Sequence, residues 1–279
     1  MTVAQPWSSV SDAPVSVGPM RVATWNVNSI RARVDRVTDW LQRSGTDVLA
    51  IQETKCRDEQ FPHEAFESIG YQVAHHGSSQ WNGVAIASRV GLDDVEHGFP
   101  GQPTWGDPPV AEARALGATC DGFRLWSLYI PNGRTLDDPH YIYKLDWLAA
   151  LRETADSWLE TDPGAAVVLM GDWNIAPRDE DVWDMSRFVG ATHVSPAERA
   201  AFGALEATGF RELTRELAPD AYTYWDYQRL RFPRNEGMRI DFALGTTAFA
   251  QRLVSVAVDR NERKGKAASD HVPVVLDLA

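Results

Sequence analysis

The chain has 279 residues, with 39 acidic against 27 basic side chains and a net charge of −12 at pH 7. That length allows a large buried core, and single α/β domains above ~200 residues are common. The charge argues against simple electrostatic adhesion to a polyanion, yet fields screened beyond about 10 Å leave room for a local basic face.

Two stretches supply such a face: residues 229–239 (RLRFPRNEGMR) carry four Arg against one Glu, and residues 260–266 (RNERKGK) four basic residues against one acid. Cys56 and Cys120 lack CxxC spacing, so neither a disulfide framework nor a cysteine zinc site is indicated. Residues 1–19, rich in Ser, Pro and Val, have no signal-peptide pattern and read as a loosely held tail, with Met20 an alternative start. No apolar run approaches the ~20 residues that span a bilayer. A soluble, cytoplasmic protein with one domain over residues 20–279 is expected.

In chain order, RVATWNV reads as a strand, and Ile30, Val34, Val37 and Leu41 follow at helical spacing. DVLAIQE, YQVAHH, GVAIAS, ARALGATC and FRLWSLYI continue as strands. A long helix follows, with Asp138 as N-cap and Pro139 at N1, burying Leu148, Leu151, Ala155 and Trp158. AVVLMG is a strand with both faces covered, SPAE at 195–198 is a capping box, and RIDFAL and VPVVLDL are the last strands. This order predicts an α/β fold in which two packed sheets are covered outside by helices.

Six apolar strands meet polar residues at an end: Asn26 and Asn28, Gln52 and Glu53, Tyr129 and Asn132, Asp172 and Asn174, Arg239 and Asp241, and Asp270 and His271. One such end, GDWN alone, reads equally as a Gly-Asp turn. Six imply a shared cleft. Oxygen donors without a Cys or His cluster suit Mg²⁺ or Mn²⁺. Asp172 beside Asn174 is suited to hold and activate a water, and Asp241 to orient His271. That set fits in-line attack on a phosphodiester, whereas a serine-nucleophile site lacks its G-x-S-x-G motif.

WNVNSIRAR, QETK, YIPNG, GDWNIAP, RID and SDHVPV, in this order, resemble the exonuclease III family of abasic-site DNA endonucleases, within the endonuclease/exonuclease/phosphatase superfamily. The resemblance covers about residues 20–279. It implies a four-layer α/β sandwich with its site at one edge of the sheets. By motif, Glu53 resembles the principal metal ligand, with Asn26 and Asp270 in the metal shell. Asp172 resembles the group that positions and deprotonates water, Asn174 its phosphate-binding companion, and His271 with Asp241 the contact to the scissile phosphate. Tyr129 and Asn132 resemble its neighbours. Whether Asp172 or His271 is the base stays open, and Asn28, where some relatives have Asp, makes a second metal site doubtful.

The resemblance extends to substrate. AYTYWDYQRLRFPRNEGMRIDF, residues 221–242, resembles a loop that forms a pocket for an extruded baseless sugar, with Tyr224, Trp225 and Met238 as walls; ordinary strand aromatics are the alternative. Arg114 is a further candidate for a phosphate contact. The implied activity is Mg²⁺-dependent incision 5′ to abasic sites in double-stranded DNA, with 3′→5′ exonuclease and 3′-end trimming at blocked ends, by a monomer in DNA repair. A lipid or inositol-phosphate phosphodiesterase and a non-catalytic DNA-binding module are the rival readings.

Overall fold

The computed structural model describes residues 19–279, so the expected tail, apart from its last residue, lies outside the described residues. In chain order it contains β1 (Met20–Asn26), α1 (Val34–Ser44), β2 (Val48–Gln52), α2 (His63–Glu67), β3 (Gln72–His76), β4 (Val84–Ser88), β5 (Asp93–His97), β6 (Ala115–Cys120) and β7 (Phe123–Tyr129). Then come α3 (Pro139–Thr161), β8 (Val167–Asp172), α4 (Pro196–Glu206), β9 (Arg211–Glu212), β10 (Asp241–Gly245), α5 (Thr247–Ala250), β11 (Leu253–Val258) and β12 (Val274–Leu278).

The strands form two six-stranded sheets, ordered β11-β12-β1-β2-β4-β3 and β5-β6-β7-β8-β10-β9. Each has one parallel pair at its centre, β1 with β2 and β7 with β8, and antiparallel neighbours outside it. Alternation along the strands makes the layers. On β8, Val168 and Met170 join Ala50, Ile86, Leu125 and Leu276 between the sheets, while Val167 and Leu169 point outward to Trp147, Leu151 and Phe202. On the other side, Trp25 and Ile51 pack against Trp40 and Leu41 of α1 and Phe66 of α2. Two helical layers thus enclose two sheets, as the sequence predicts. Among the described residues, no helix is long and apolar enough to cross a membrane.

The helix signals hold in detail. The Asp138 carboxylate accepts from the His140 backbone N–H at 2.8 Å, with Pro139 at N1. Ser195 and Glu198 form a reciprocal capping box on α4. Ile30 is buried but precedes α1, whose first residue is Val34. Arg239 and Ile240 precede β10 rather than opening it. Three edge strands were not expected: β5 (DDVEH) is largely exposed and polar, β9 has two residues, and β11 is half-exposed. Gly171 is required where it stands. Its φ is +154°, and an added Cβ would run into the Leu128 carbonyl of the neighbouring strand, so only glycine lets β8 lie against β7 at this level.

Candidate active site

The central strands deliver polar residues to one edge of the sandwich. Tyr129 pairs with Asp172 across β7 and β8, and Asp172 with Asp241 across β8 and β10. In the other sheet Asn26 pairs with Gln52, and Glu53 follows it with φ +53°. Asp270 and His271 lie just before β12. Rigid strands therefore aim these groups into one cleft of about 600 Å³, lined by Glu53, Tyr129, Asn132, Asp172, Asn174, Tyr224, Met238, Asp270 and His271.

Asn26 ties the two sheets together at this point. Its Oδ1 accepts from the Asn28 backbone N–H at 3.0 Å, which fixes the amide so that Nδ2 donates to Glu53 Oε1 at 2.8 Å and Asp172 Oδ2 at 3.0 Å. Buried among its partners, Asn26 braces both carboxylates. Burial pushes the Glu53 pKa up, but the Lys55 ammonium 2.6 Å from Oε2 and the Asn26 hydrogen bond outweigh it, so Glu53 stays below its usual value and ionised. Lys55 also donates to Asn28 Oδ1 at 2.6 Å, and Asn28 Nδ2 donates to Asp270 Oδ1 at 3.0 Å.

Asp172 behaves oppositely. Burial, with the charges of Asp241 and Glu53 and against the pull of His271, raises its pKa to about 7. Its Oδ1 accepts from the Asn174 backbone N–H at 2.9 Å. His271 Nδ1 faces Asp241 Oδ2 at 2.9 Å, and Asp241 in turn accepts from Thr223 Oγ1 at 2.6 Å. The other ring nitrogen, Nε2, points toward Asp172 Oδ2 at 3.7 Å. Burial lowers the His271 pKa, but Asp241 and Asp172 overcome it and raise it to about 10, so the ring is an imidazolium at neutral pH. Tyr129, beside Glu53 and Asp172, is held well above the ordinary phenol value by burial and by those charges, and remains a donor.

Glu53, Asp172 and His271 offer ligand atoms within 4.8 Å of one another. A charged imidazolium is no ligand, so the oxygen donors are the two carboxylates. This chemistry fits a hard divalent cation. A cation held by carboxylates beside a fixed imidazolium is a receptor for an anionic ester.

Not every expected residue enters the cleft. Trp225 is 1% exposed and packs against Phe232 at 5.2 Å, with the Arg260 guanidinium 5.3 Å above it, so its expected place as a cleft wall is corrected: it is core. Trp225→Ala is accordingly expected to lower stability by about 3–5 kcal/mol, measured by urea denaturation, while the relative rates on different substrates stay constant. Arg114 is buried, with Nε donating to Glu112 Oε2 at 2.7 Å and its guanidinium 4.9 Å from the Tyr129 ring, so it supports Tyr129 instead of reaching a phosphate. Arg239 is buried too and donates to Thr214 Oγ1 at 2.7 Å. Tyr224 does line the cleft, its ring 4.8 Å from that of His271, and Met238 lines it alongside.

His193 was not anticipated. It lines the cleft with Nε2 3.1 Å from Asn174 Oδ1, and Asn132 Nδ2 donates to the same oxygen at 3.1 Å. Burial, then the charge of Lys144, hold it neutral with a pKa of about 3. A lone His before a capping box carries no sequence signal of this role.

A two-sheet sandwich with paired carboxylates and an imidazolium at one edge defines a phosphoester hydrolase. The chain belongs to the endonuclease/exonuclease/phosphatase family, whose model matches residues 23–271. It is 30% identical to exodeoxyribonuclease III of Haemophilus influenzae over 269 residues, 91% of this chain and 98% of the relative. Among solved structures it is similar to the 3′ phosphatase NExo from Neisseria, bound to a product DNA hairpin, at 36% identity and TM-score 0.87 over 93% of this chain and 99% of that one. An AP endonuclease from Archaeoglobus fulgidus matches at 33% identity and TM-score 0.86, over 93% and 99% of the two chains.

Proposed function

We propose that this chain is a DNA-repair phosphoesterase: it hydrolyses the phosphodiester 5′ to abasic sites in duplex DNA and removes blocking groups at 3′ ends, with Mg²⁺ or Mn²⁺ as cofactor. The observation that carries the reading is Asp172, a carboxylate with pKa about 7 set between Glu53 and the His271 imidazolium. A group of that basicity accepts a proton from water at neutral pH. His271, already protonated, is unsuited as base and suited to neutralise charge developing on the phosphate. Asp172 therefore takes the proton of the attacking water, and the Asn174 backbone N–H orients its carboxylate. The Tyr129 phenol and the Asn132–Asn174 pair line the same cleft and face the substrate there. A bound cation at Glu53, with Asn26 and Asp270 nearby, would supply Lewis-acid stabilisation of phosphate oxygens.

Beside the cleft, a second hollow of about 390 Å³ at the start of α1 is bordered by Arg31, Arg33, Arg36, Arg43 and Lys266 against Asp35, Asp39 and Glu262, and its excess of cations would offer DNA phosphates a local basic surface despite the net charge. A monomeric, cytoplasmic enzyme whose catalytic domain spans residues 20–279 accords with this reading.

A second reading, 3′-end processing with little abasic incision, is favoured by the higher identity to the Neisseria 3′ phosphatase than to the archaeal AP endonuclease. One assay separates the two: the purified protein with Mg²⁺ on a duplex carrying one abasic analogue and on the same duplex ending in a 3′-phosphate, with a phosphatidylinositol phosphate as control. Cleavage of both duplexes supports the first reading, and of the 3′-phosphate alone the second. Turnover of the lipid alone would sink both. Glu53→Gln keeps shape but removes the charge a hard cation needs, so half-maximal activity should require about tenfold more Mg²⁺. An unchanged Mg²⁺ titration would remove Glu53 from the metal site.

A further inference from the structure

Behind the cleft, Lys144 of α3 and Glu198 of α4 form an ion pair at 2.5 Å in which both side chains are 0% exposed. Such a pair is weak evidence for stability, because desolvation offsets most of the attraction and well-packed apolar residues often do as well. Here α3 and α4 already have apolar contacts through Leu151, Phe202 and Leu205. The pair's remaining bonds go elsewhere. Lys144 Nζ donates to the backbone carbonyls of Asn174 at 2.6 Å and Asn132 at 3.3 Å, which with Glu198 uses all three ammonium hydrogens. Glu198 Oε1 accepts from the His193 backbone N–H at 2.9 Å, and Oε2 from that of Ser195 at 3.1 Å. Each of the three cleft-wall residues Asn132, Asn174 and His193 is thus fixed through its main chain by one of the two charges. Asn174 is held at φ +49°, a left-handed conformation that costs energy and that the Lys144 bond helps to maintain.

We propose that Lys144 and Glu198 are positioning residues for hydrolysis: the ion pair sets the wall formed by Asn132, Asn174 and His193 at the height from which it meets the phosphate and holds Asp172 through the Asn174 N–H. The inference rests on the phosphoesterase reading above. Neither side chain touches substrate; both act through the wall.

The test uses Lys144→Met/Glu198→Gln, which removes both charges together, keeps the volumes close and leaves no unpaired buried ion. Single-turnover cleavage and DNA affinity are measured at saturating Mg²⁺ on protein whose fold is checked by near-ultraviolet circular dichroism. The double variant should fold, bind DNA within about threefold of wild type and cleave about 10- to 100-fold more slowly, the scale of a sub-ångström to 1 Å misplacement. Repeated in an Asn174→Ala background, which removes that residue's side-chain contact but keeps its backbone N–H and carbonyl, the same double change should cost less than it does in wild type, because part of the wall it positions is already missing. Equal losses in both backgrounds, or an undiminished rate in the folded double variant, would overturn the positioning role. If the double variant fails to fold, Lys144→Arg keeps the charge and shifts the donors: a folded but slowed enzyme supports the proposal, and full activity overturns it. Wild-type protein inactive on both duplexes would instead sink the phosphoesterase reading and this inference with it.

Discussion

Asp172→Asn is expected to slow single-turnover DNA cleavage by about 10²–10⁴-fold while leaving DNA affinity within about twofold and the folded state intact. The amide keeps the side chain's shape but accepts no proton from water. It also turns an NH₂ toward one of the two donors that now meet a carboxylate oxygen, the Nδ2 of Asn26 at 3.0 Å or the N–H of Asn174 at 2.9 Å, while its amide oxygen still accepts from the other. The stability consequence runs the other way. Burial raises the pKa of Asp172 from an ordinary 3.8 to about 7, so the stability of the neutral form is fully present below 3.8 and lost as pH rises through about 7. A neutral amide escapes that loss. The melting temperature of the metal-free variant relative to wild type should therefore be more favourable at pH 8 than at pH 4. A variant that retained near-normal turnover would remove Asp172 from the chemistry, and one that lost its fold at pH 8 would contradict the burial argument.

How much of this was legible in the chain depends on whether the deciding interaction is local. The cap at Asp138, the box at Ser195 and the doubly covered strand Val167 to Met170 are local patterns, and each was readable. Edge strand β5 was not, because DDVEH buries too little to carry a hydrophobic signature. The two neighbouring aromatics Tyr224 and Trp225 are more instructive. Successive residues of extended backbone face opposite ways, so the two cannot line the same cleft. Alternation would have assigned one to the cleft and one to the core, but only the fold decides that Tyr224 points in. Lys144 also left a trace: Tyr141, Lys144, Leu148, Leu151, Ala155 and Trp158 share one helical stripe, and all are buried. A lysine on such a stripe needs a buried partner. Its identity, Glu198, is set by the packing of α3 against α4, which no local window contains.

The pH dependence of cleavage is expected to be bell-shaped, and the same hydrogen-bonded set fixes both limbs. Activity should rise as Asp172 loses its proton through about 7, with a bound cation drawing this limb lower, and fall as His271 loses its proton near 10. His271→Ala should cost about 10²–10³-fold at pH 8 by removing charge that stabilises the phosphate, and should abolish the alkaline limb. Because His271 is the main influence lowering the Asp172 pKa, its loss should also move the acid limb upward. Asp241→Asn makes the subtler change. Asp241 is the chief influence raising His271, so without its charge the imidazolium should release its proton at lower pH and the alkaline limb should shift down. Asp241 also raises Asp172, so the acid limb should shift down with it. The variant should then lose far more activity at pH 9 than at pH 6.5. Single-turnover rates across pH 5–10.5 at saturating Mg²⁺, with ¹⁵N chemical shifts of the His271 ring in metal-free protein, measure both limbs. An alkaline limb that stays in place in Asp241→Asn would mean that His271 is not held in its charged form by Asp241. A limb that stays in place while the ¹⁵N titration of the His271 ring moves would instead require another donor of the cleft as the phosphate contact, with Tyr129 the next candidate.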